Sequence, residues 1–408
     1  MGNLLDPKTN RFKAAIGAAG FLAVVLLVSL FASLSSDETI SLGDEAVEDL
    51  RLRVETESNL SATPTTLTDP ELDLDSSTQL TTPFAGVNLA ANITNEPNIE
   101  PDAGQDGSVR VVCHASHFGF DDPIVFPGEV GGSHLHMFFG NTLTDANSTY
   151  NSLASSGDGT CQGGPLNRTA YWVPTLHDGD DLVRVPQYSL IYYKSGPLHG
   201  QEIQEFPEGL RMITGNARAQ NTNQQSGTKY SWYCGSPITG GGRANSGDLI
   251  PDCQPGQFVS LQLDFPNCWD GVNLDSADHS SHVAHSQGNT CPTTHPVPLP
   301  QVTYNLYWNN NDVNTGDWYL SSDHEGDRRL PGGTTTHADW FGAWHPDVLE
   351  TFVDECNNAD HDCKGGTISP QQKLSSQSSP WFGGASYEIF STNQPPLKFS
   401  VAQLTSDS

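Results

Sequence analysis

The apolar segments of this chain are short, and Gly, Pro, Asn or Asp closes off each of them. Such segments predict strands at 109–113, 135–139, 170–173, 188–193, 210–213, 258–263 and 302–308. With 39 Gly, 27 Pro and no long Glu/Lys helical face, the pattern is that of a mainly β fold. A single β-sandwich or jelly-roll-like domain with long loops and one or two short helices is expected. One helix is predicted after Pro346, where Val348, Leu349, Phe352, Val353 and Cys356 recur at helical spacing. Beyond Gly365 the chain is rich in Ser and Gln, and the aromatic pairs near 381–382 and 387–390 suggest that it returns as a strand.

The amino terminus reads differently. Lys8, Arg11 and Lys13 precede an uncharged, Ala/Val/Leu-rich run over 14–34, close to the ~20 residues that cross a bilayer. Residues 1–35 are therefore expected to be a signal anchor or a signal peptide, with the rest exported. Residues 36–107 are acidic, rich in Thr, Ser, Asn and Pro, and read as a flexible linker. Residues 108–408 would form the domain. The expected location is extracytoplasmic, membrane-anchored or secreted, with membrane contact only through the N-terminal segment. A net charge of −30 argues against nucleic acid as a partner.

All eight cysteines follow the apolar run, and in an oxidising compartment they allow up to four disulfides. The pairing does not follow from the sequence, except that Cys356–Cys363 is the best local guess. Asn59, Asn92, Asn147 and Asn167 each begin an Asn-x-Ser/Thr sequon.

Fourteen histidines carry the chemical signal, because they cluster beside carboxylates. His134 and His136 are two apart, so a strand would put both imidazoles on one face. His117 stands upstream, next to Asp121 and Asp122. Between Cys268 and Cys291, the loop residues Asp270, Asn273, Asp275, Asp278, His279, His282 and His285 alternate carboxylates, amides and imidazoles. His282 is the leading candidate there, and Asp270, Asn273 and Asp275 could alternatively hold calcium. His337 and Asp339 follow the glycine turn Gly332-Gly333, as a base with its orienting carboxylate or a ligand with its support. No HExxH, GxSxG, P-loop or dinucleotide motif is present, which argues against the common metalloproteases, α/β hydrolases and nucleotide enzymes.

Several ordered motifs carry a resemblance. They are Ser116-His117-Phe118-Gly119-Phe120-Asp121-Asp122-Pro123, Ser133-His134-Leu135-His136-Met137-Phe138-Phe139-Gly140 and Phe206-Pro207-Glu208-Gly209-Leu210-Arg211-Met212. Further on come Cys268-Trp269-Asp270-Gly271-Val272-Asn273, Asp278-His279-Ser280-Ser281-His282 and Cys291-Pro292-Thr293-Thr294-His295-Pro296-Val297. Over roughly 108–365 the chain resembles a family of secreted fungal and bacterial proteins, domain of unknown function number nineteen ninety-six. The resemblance implies an extracellular or wall-associated protein and places His117, His134, His136, His282, His295 and His337 in family-like segments. His279 and His285 look more peculiar to this chain. The family's His-Gly-Asp reads His337-Ala338-Asp339 here.

Two functions are expected. The first is an enzyme acting on extracellular polysaccharide or cell-wall material, metal-dependent or working through His/Asp acid–base chemistry. His134, His136, His117 and His295 would be metal ligands, with His282, His337, Asp339 and Asp122 catalytic. The cofactor would be a divalent metal, zinc or copper ahead of calcium. The alternative is a non-catalytic cell-surface protein that binds metal or glycan.

Overall fold

Strands with apolar side chains on both faces need cover on both faces, and that requirement sets the layers of this protein. The computed structural model describes residues 82–95, 102–103, 106–179, 182–237, 242–310, 314–325, 328–376 and 397–400. These fall in a unit that runs over Gln79–Ser408. The strands that position the site are, in chain order, β1 (Ser108–Cys113), β2 (Ala115–Gly119), β3 (His136–Gly140), β4 (Ala170–Pro174) and β5 (Tyr188–Lys194). They continue with β6 (Arg211–Gly215), β7 (Lys229–Cys234), β8 (Gln257–Asp264), β9 (Gln301–Asn310) and β10 (His337–Phe341).

A five-stranded antiparallel sheet has the order β6-β10-β4-β3-β2. An eight-stranded sheet runs from Ala244–Gly247 through β7, β8, β9, β5 and β1 to His361–Cys363 and Asp102–Ala103. Only the pairing of β1 with His361–Cys363 is parallel in it. Alternate residues of both sheets meet in one core. Met137 and Phe139 of β3, Tyr171 and Val173 of β4, and Ala338 and Trp340 of β10 enter it from the five-stranded side. Val109, Ile191, Leu261, Tyr304 and Trp308 enter from the eight-stranded side. Tyr171 and Tyr193 join the layers with a 2.7 Å hydroxyl contact, so their buried oxygens are satisfied. The protein is thus mainly β and sandwich-like.

Each of the seven strands expected between 109 and 308 is present to within two residues at its ends. β2, β7 and β10 were not expected, because their sequences mix polar residues with aromatics. The helix begins at Pro346, runs to Phe352 and continues as a π-helix over Val353–Asn358. Four disulfides are formed: Cys113–Cys161, Cys234–Cys253, Cys268–Cys291 and Cys356–Cys363.

The folded body extends upstream of residue 108. Phe84 is buried, its N–H donates to the Ala154 carbonyl at 2.8 Å, and Ile93–Asn95 pairs with Gln372–Leu374. An apolar ring and free strand edges explain why this end of the expected linker is ordered. The expected anchor over 14–34 and the expected strands near 381–382 and 387–390 lie outside the described residues. Among the described residues no helix is long and apolar enough to cross a membrane.

Candidate metal centre

Strand alternation gives the five-stranded sheet a second face, turned away from the inter-sheet core. On it Phe138, Trp172 and Phe341 form a separate apolar cluster with Ile124. Phe138, Trp172, Asp339 and Ile213 are register partners across β3, β4, β10 and β6. Two residues along their strands on the same face stand His136 and His337. His134 precedes β3 and joins them: the ring centroids are 4.2 Å apart for His134–His136, 5.0 Å for His134–His337 and 5.9 Å for His136–His337. One ring nitrogen from each of the three lies within 4.8 Å of the others. Asp122, His136 and Asp339 form a second group by the same measure.

The tautomers of His136 and His337 are fixed. His136 Nδ1 lies 3.0 Å from the Asp121 carbonyl, and His337 Nδ1 lies 2.7 Å from the Thr335 carbonyl. A carbonyl only accepts, so both Nδ1 atoms carry the proton and both Nε2 atoms present a lone pair. Nε2 of His136 and Nε2 of His134 are buried and unpartnered. Such carbonyl support on the far nitrogen is the usual way of aiming an imidazole at a metal.

Burial, with the His337 imidazole adding to it, pushes His136 down to about 3. Burial takes His337 down to about 4 and also lowers His134. All three are neutral at physiological pH, the form that ligates. Burial raises Asp339, and the adjacent Asp122 adds to the shift. Burial also raises Asp122, although the Val125 and Ile124 N–H groups on its Oδ1 work against that. Asp339 Oδ2 has no hydrogen-bond partner. His134, His337, Asp122 and Asp339 line a cleft of about 590 Å³ together with His279 and Arg218.

Of the residues read from the sequence, His134, His136, His337, Asp122 and Asp339 therefore come together. His117, His282 and His295 do not. His117 stacks on Phe138 with centroids 4.7 Å apart, donates from Nε2 to the Thr144 carbonyl at 2.7 Å and has Ser116 Oγ 2.8 Å from Nδ1. His282 donates from Nε2 to the Arg211 carbonyl at 2.7 Å and meets Ser276 Oγ at 2.9 Å, which ties its loop to β6. His295 donates to the Ser281 carbonyl at 3.0 Å, with Thr294 Oγ1 on its other nitrogen. In each case both ring nitrogens are occupied, so these imidazoles hold backbone in place. Asp270 caps a turn through the Val272 and Asn273 N–H groups. Sequence reasoning set His279 aside together with His285, and the structure puts His279 on the same cleft.

A family model described as Domain of unknown function (DUF1996) matches residues 122–344. The chain belongs to the DUF1996 family. The matched span of this DUF1996 protein includes Asp122, His134, His136, His279, His337 and Asp339, and leaves out His117. No curated protein and no solved structure matches the chain. Where the resemblance leads one to expect the DUF1996 His-Gly-Asp, Ala338 points its methyl into the inter-sheet core and is fully buried, so the exchange leaves the cleft untouched.

Proposed function

We propose that this DUF1996 protein is a metal-dependent hydrolytic enzyme that acts outside the cytoplasm on polysaccharide or cell-wall material. His134, His136 and His337 hold one divalent ion, zinc or copper, since imidazole ligands suit those metals better than calcium. The observation that carries this reading is the buried, unpartnered Nε2 of His134 and of His136, together with the carbonyls that fix the tautomers of His136 and His337. Three ligands on a common ion stand about 3.3 Å apart when each bond is ~2.0–2.1 Å. The nitrogens here, within 4.8 Å of one another, need only small side-chain movements to reach that spacing. Three protein ligands leave a coordination position open, and partly exposed His134 puts the cleft beside it. Neutral ligands leave the ion's charge intact, so it polarises a substrate oxygen or lowers the pKa of a bound water. The four disulfides support an oxidising, extracytoplasmic setting.

Replacing His134 or His136 by Ala tests the reading. Purified without chelators, the parent protein should carry one zinc or copper per chain and release product from wall polysaccharide. Each variant should lose most of the metal and all turnover. Equal metal content and turnover in the variants would reject the centre. Metal without any turnover would leave a binding protein in its place.

A further inference from the structure

Which bond the centre cuts follows from the rest of the cleft. Resting on the metal centre proposed above, we infer that the substrate bond is an acyl bond, an ester or amide borne by a glycan, and that His279, oriented by Asp275, carries the proton.

Two observations carry this. The first concerns the carboxyl groups. Most glycosidases cut with two carboxyl groups that flank an accessible sugar carbon, about 5–5.5 Å apart in retaining enzymes and about 6.5–9.5 Å apart in inverting ones. Asp122 and Asp339 do not have that arrangement. They are 4% and 1% exposed, and one oxygen of each lies within 4.8 Å of the other and of a His136 nitrogen. Asp122 Oδ1 is already committed to two backbone N–H groups. No sugar ring fits between them. Asp278, at the cleft rim, spends one oxygen on the Ser280 and Ser281 N–H groups and the Ser276 hydroxyl, so it caps a turn. Acyl hydrolysis instead needs a cation at the carbonyl oxygen, a water and a proton carrier.

The second observation supplies the carrier. The Cys268–Cys291 disulfide closes the loop that holds His279. His279 has φ +56°, a left-handed conformation that is uncommon outside glycine, and contacts around its ring hold it there. Its Nδ1 lies 3.1 Å from both oxygens of Asp275. Asp275 is itself held by Arg211 Nη1 at 3.3 Å and by the Ser276 N–H at 2.8 Å. The carboxylate accepts the Nδ1 proton, which leaves Nε2 as a free lone pair. The ring borders the same cleft as His134 and His337 and interacts electrostatically with Asp122. A base, its orienting carboxylate and an open face toward the substrate are the parts that proton transfer requires.

The step balances. A water proton passes to His279 Nε2 as the water oxygen bonds to the acyl carbon. The bond from that carbon to the leaving oxygen or nitrogen then breaks, and His279 returns the proton to the leaving atom. The products are a carboxylic acid and a sugar hydroxyl or amine.

The test uses the full chain loaded with zinc, with 4-nitrophenyl acetate and acetylated xylan as probes and deacetylated xylan as the glycosidic control. Acetate should be released from both acyl probes, with no new reducing ends from either xylan. His279→Gln and Asp275→Asn should lower kcat by about 10²–10³. Zinc stoichiometry should be unchanged and KM should stay within about twofold. Retained zinc shows that the variants are folded. Full kcat in both variants, reducing-end release, or a zinc-loaded protein that releases no acetate would each overturn the inference while leaving the metal centre standing. A parent protein that takes up no zinc would instead remove the centre.

Discussion

A buried imidazole nitrogen without a partner is costly unless something uses it, and here His134 and His136 each have one, beside His337. In the metal-free protein, burial holds His136 near 3 and His337 near 4, whereas an ordinary histidine titrates near 6.5. Between those values the unfolded chain binds protons that the folded chain refuses. The folded state is therefore fully favoured above pH ~6.5 and loses stability as pH falls from there toward 4. One pKa unit is worth about 1.4 kcal/mol, so the two rings together cost several kcal/mol at pH 4 relative to pH 7. Asp339, raised by burial, acts with the opposite sign, since the folded state keeps its proton above the ordinary carboxyl range. A His136→Gln comparison isolates the imidazole share. Thermal denaturation of chelated protein should show a Tm drop between pH 7 and pH 4.5 that is several degrees smaller in H136Q than in the parent. Equal drops would mean that His136 is not held neutral. At this scale the sequence was only partly informative. Residue type and spacing picked out His134, His136, His337, Asp122 and Asp339. Nothing in type or spacing showed that His117, His282 and His295 spend both nitrogens on nearby carbonyls and hydroxyls, because those partners depend on how the loops fold.

At the level of elements, period-two alternation does most of the work. β10 reads His337-Ala338-Asp339-Trp340-Phe341, and every residue of it is buried: Ala338 and Trp340 toward the core, Phe341 toward the second apolar cluster. The apolar runs of β3, β5, β8 and β9 were legible as strands because both of their faces are apolar. β10 was not, because its outward positions carry the polar groups of the site, and the glycine turn before it reads as the edge of a site. The strand beside it depends on a glycine. Gly215, the register partner of His337, has φ +92°, and a Cβ there would stand 2.2 Å from the Thr336 carbonyl oxygen and 2.6 Å from His337 Cα. Gly215→Ala is expected to push β6 from β10, cost roughly 2–4 kcal/mol and move His337 off its partners. Zinc affinity should fall at least tenfold in the folded fraction. Unaltered affinity and Tm in calorimetry would show that the close approach is not needed.

For the molecule as a whole, the site exists because the five-stranded sheet brings together segments that are distant in the chain. Asp122 comes from the turn after β2, His134 and His136 from the start of β3, His337 and Asp339 from β10, and His279 from a disulfide-closed loop. The strand order β6-β10-β4-β3-β2 sets these meetings, and sequence order does not reveal it. The fold class was readable from local pattern, and the convergence was not, since it depends on which edges pair. Zinc-edge X-ray absorption of the loaded protein tests that convergence most directly. The spectrum should show nitrogen scatterers at about 2.0–2.1 Å with the outer-shell signature of three imidazoles. A shell made only of oxygen, or an imidazole count that H136A and H337A leave unchanged, would contradict the assignment of the ion to His134, His136 and His337.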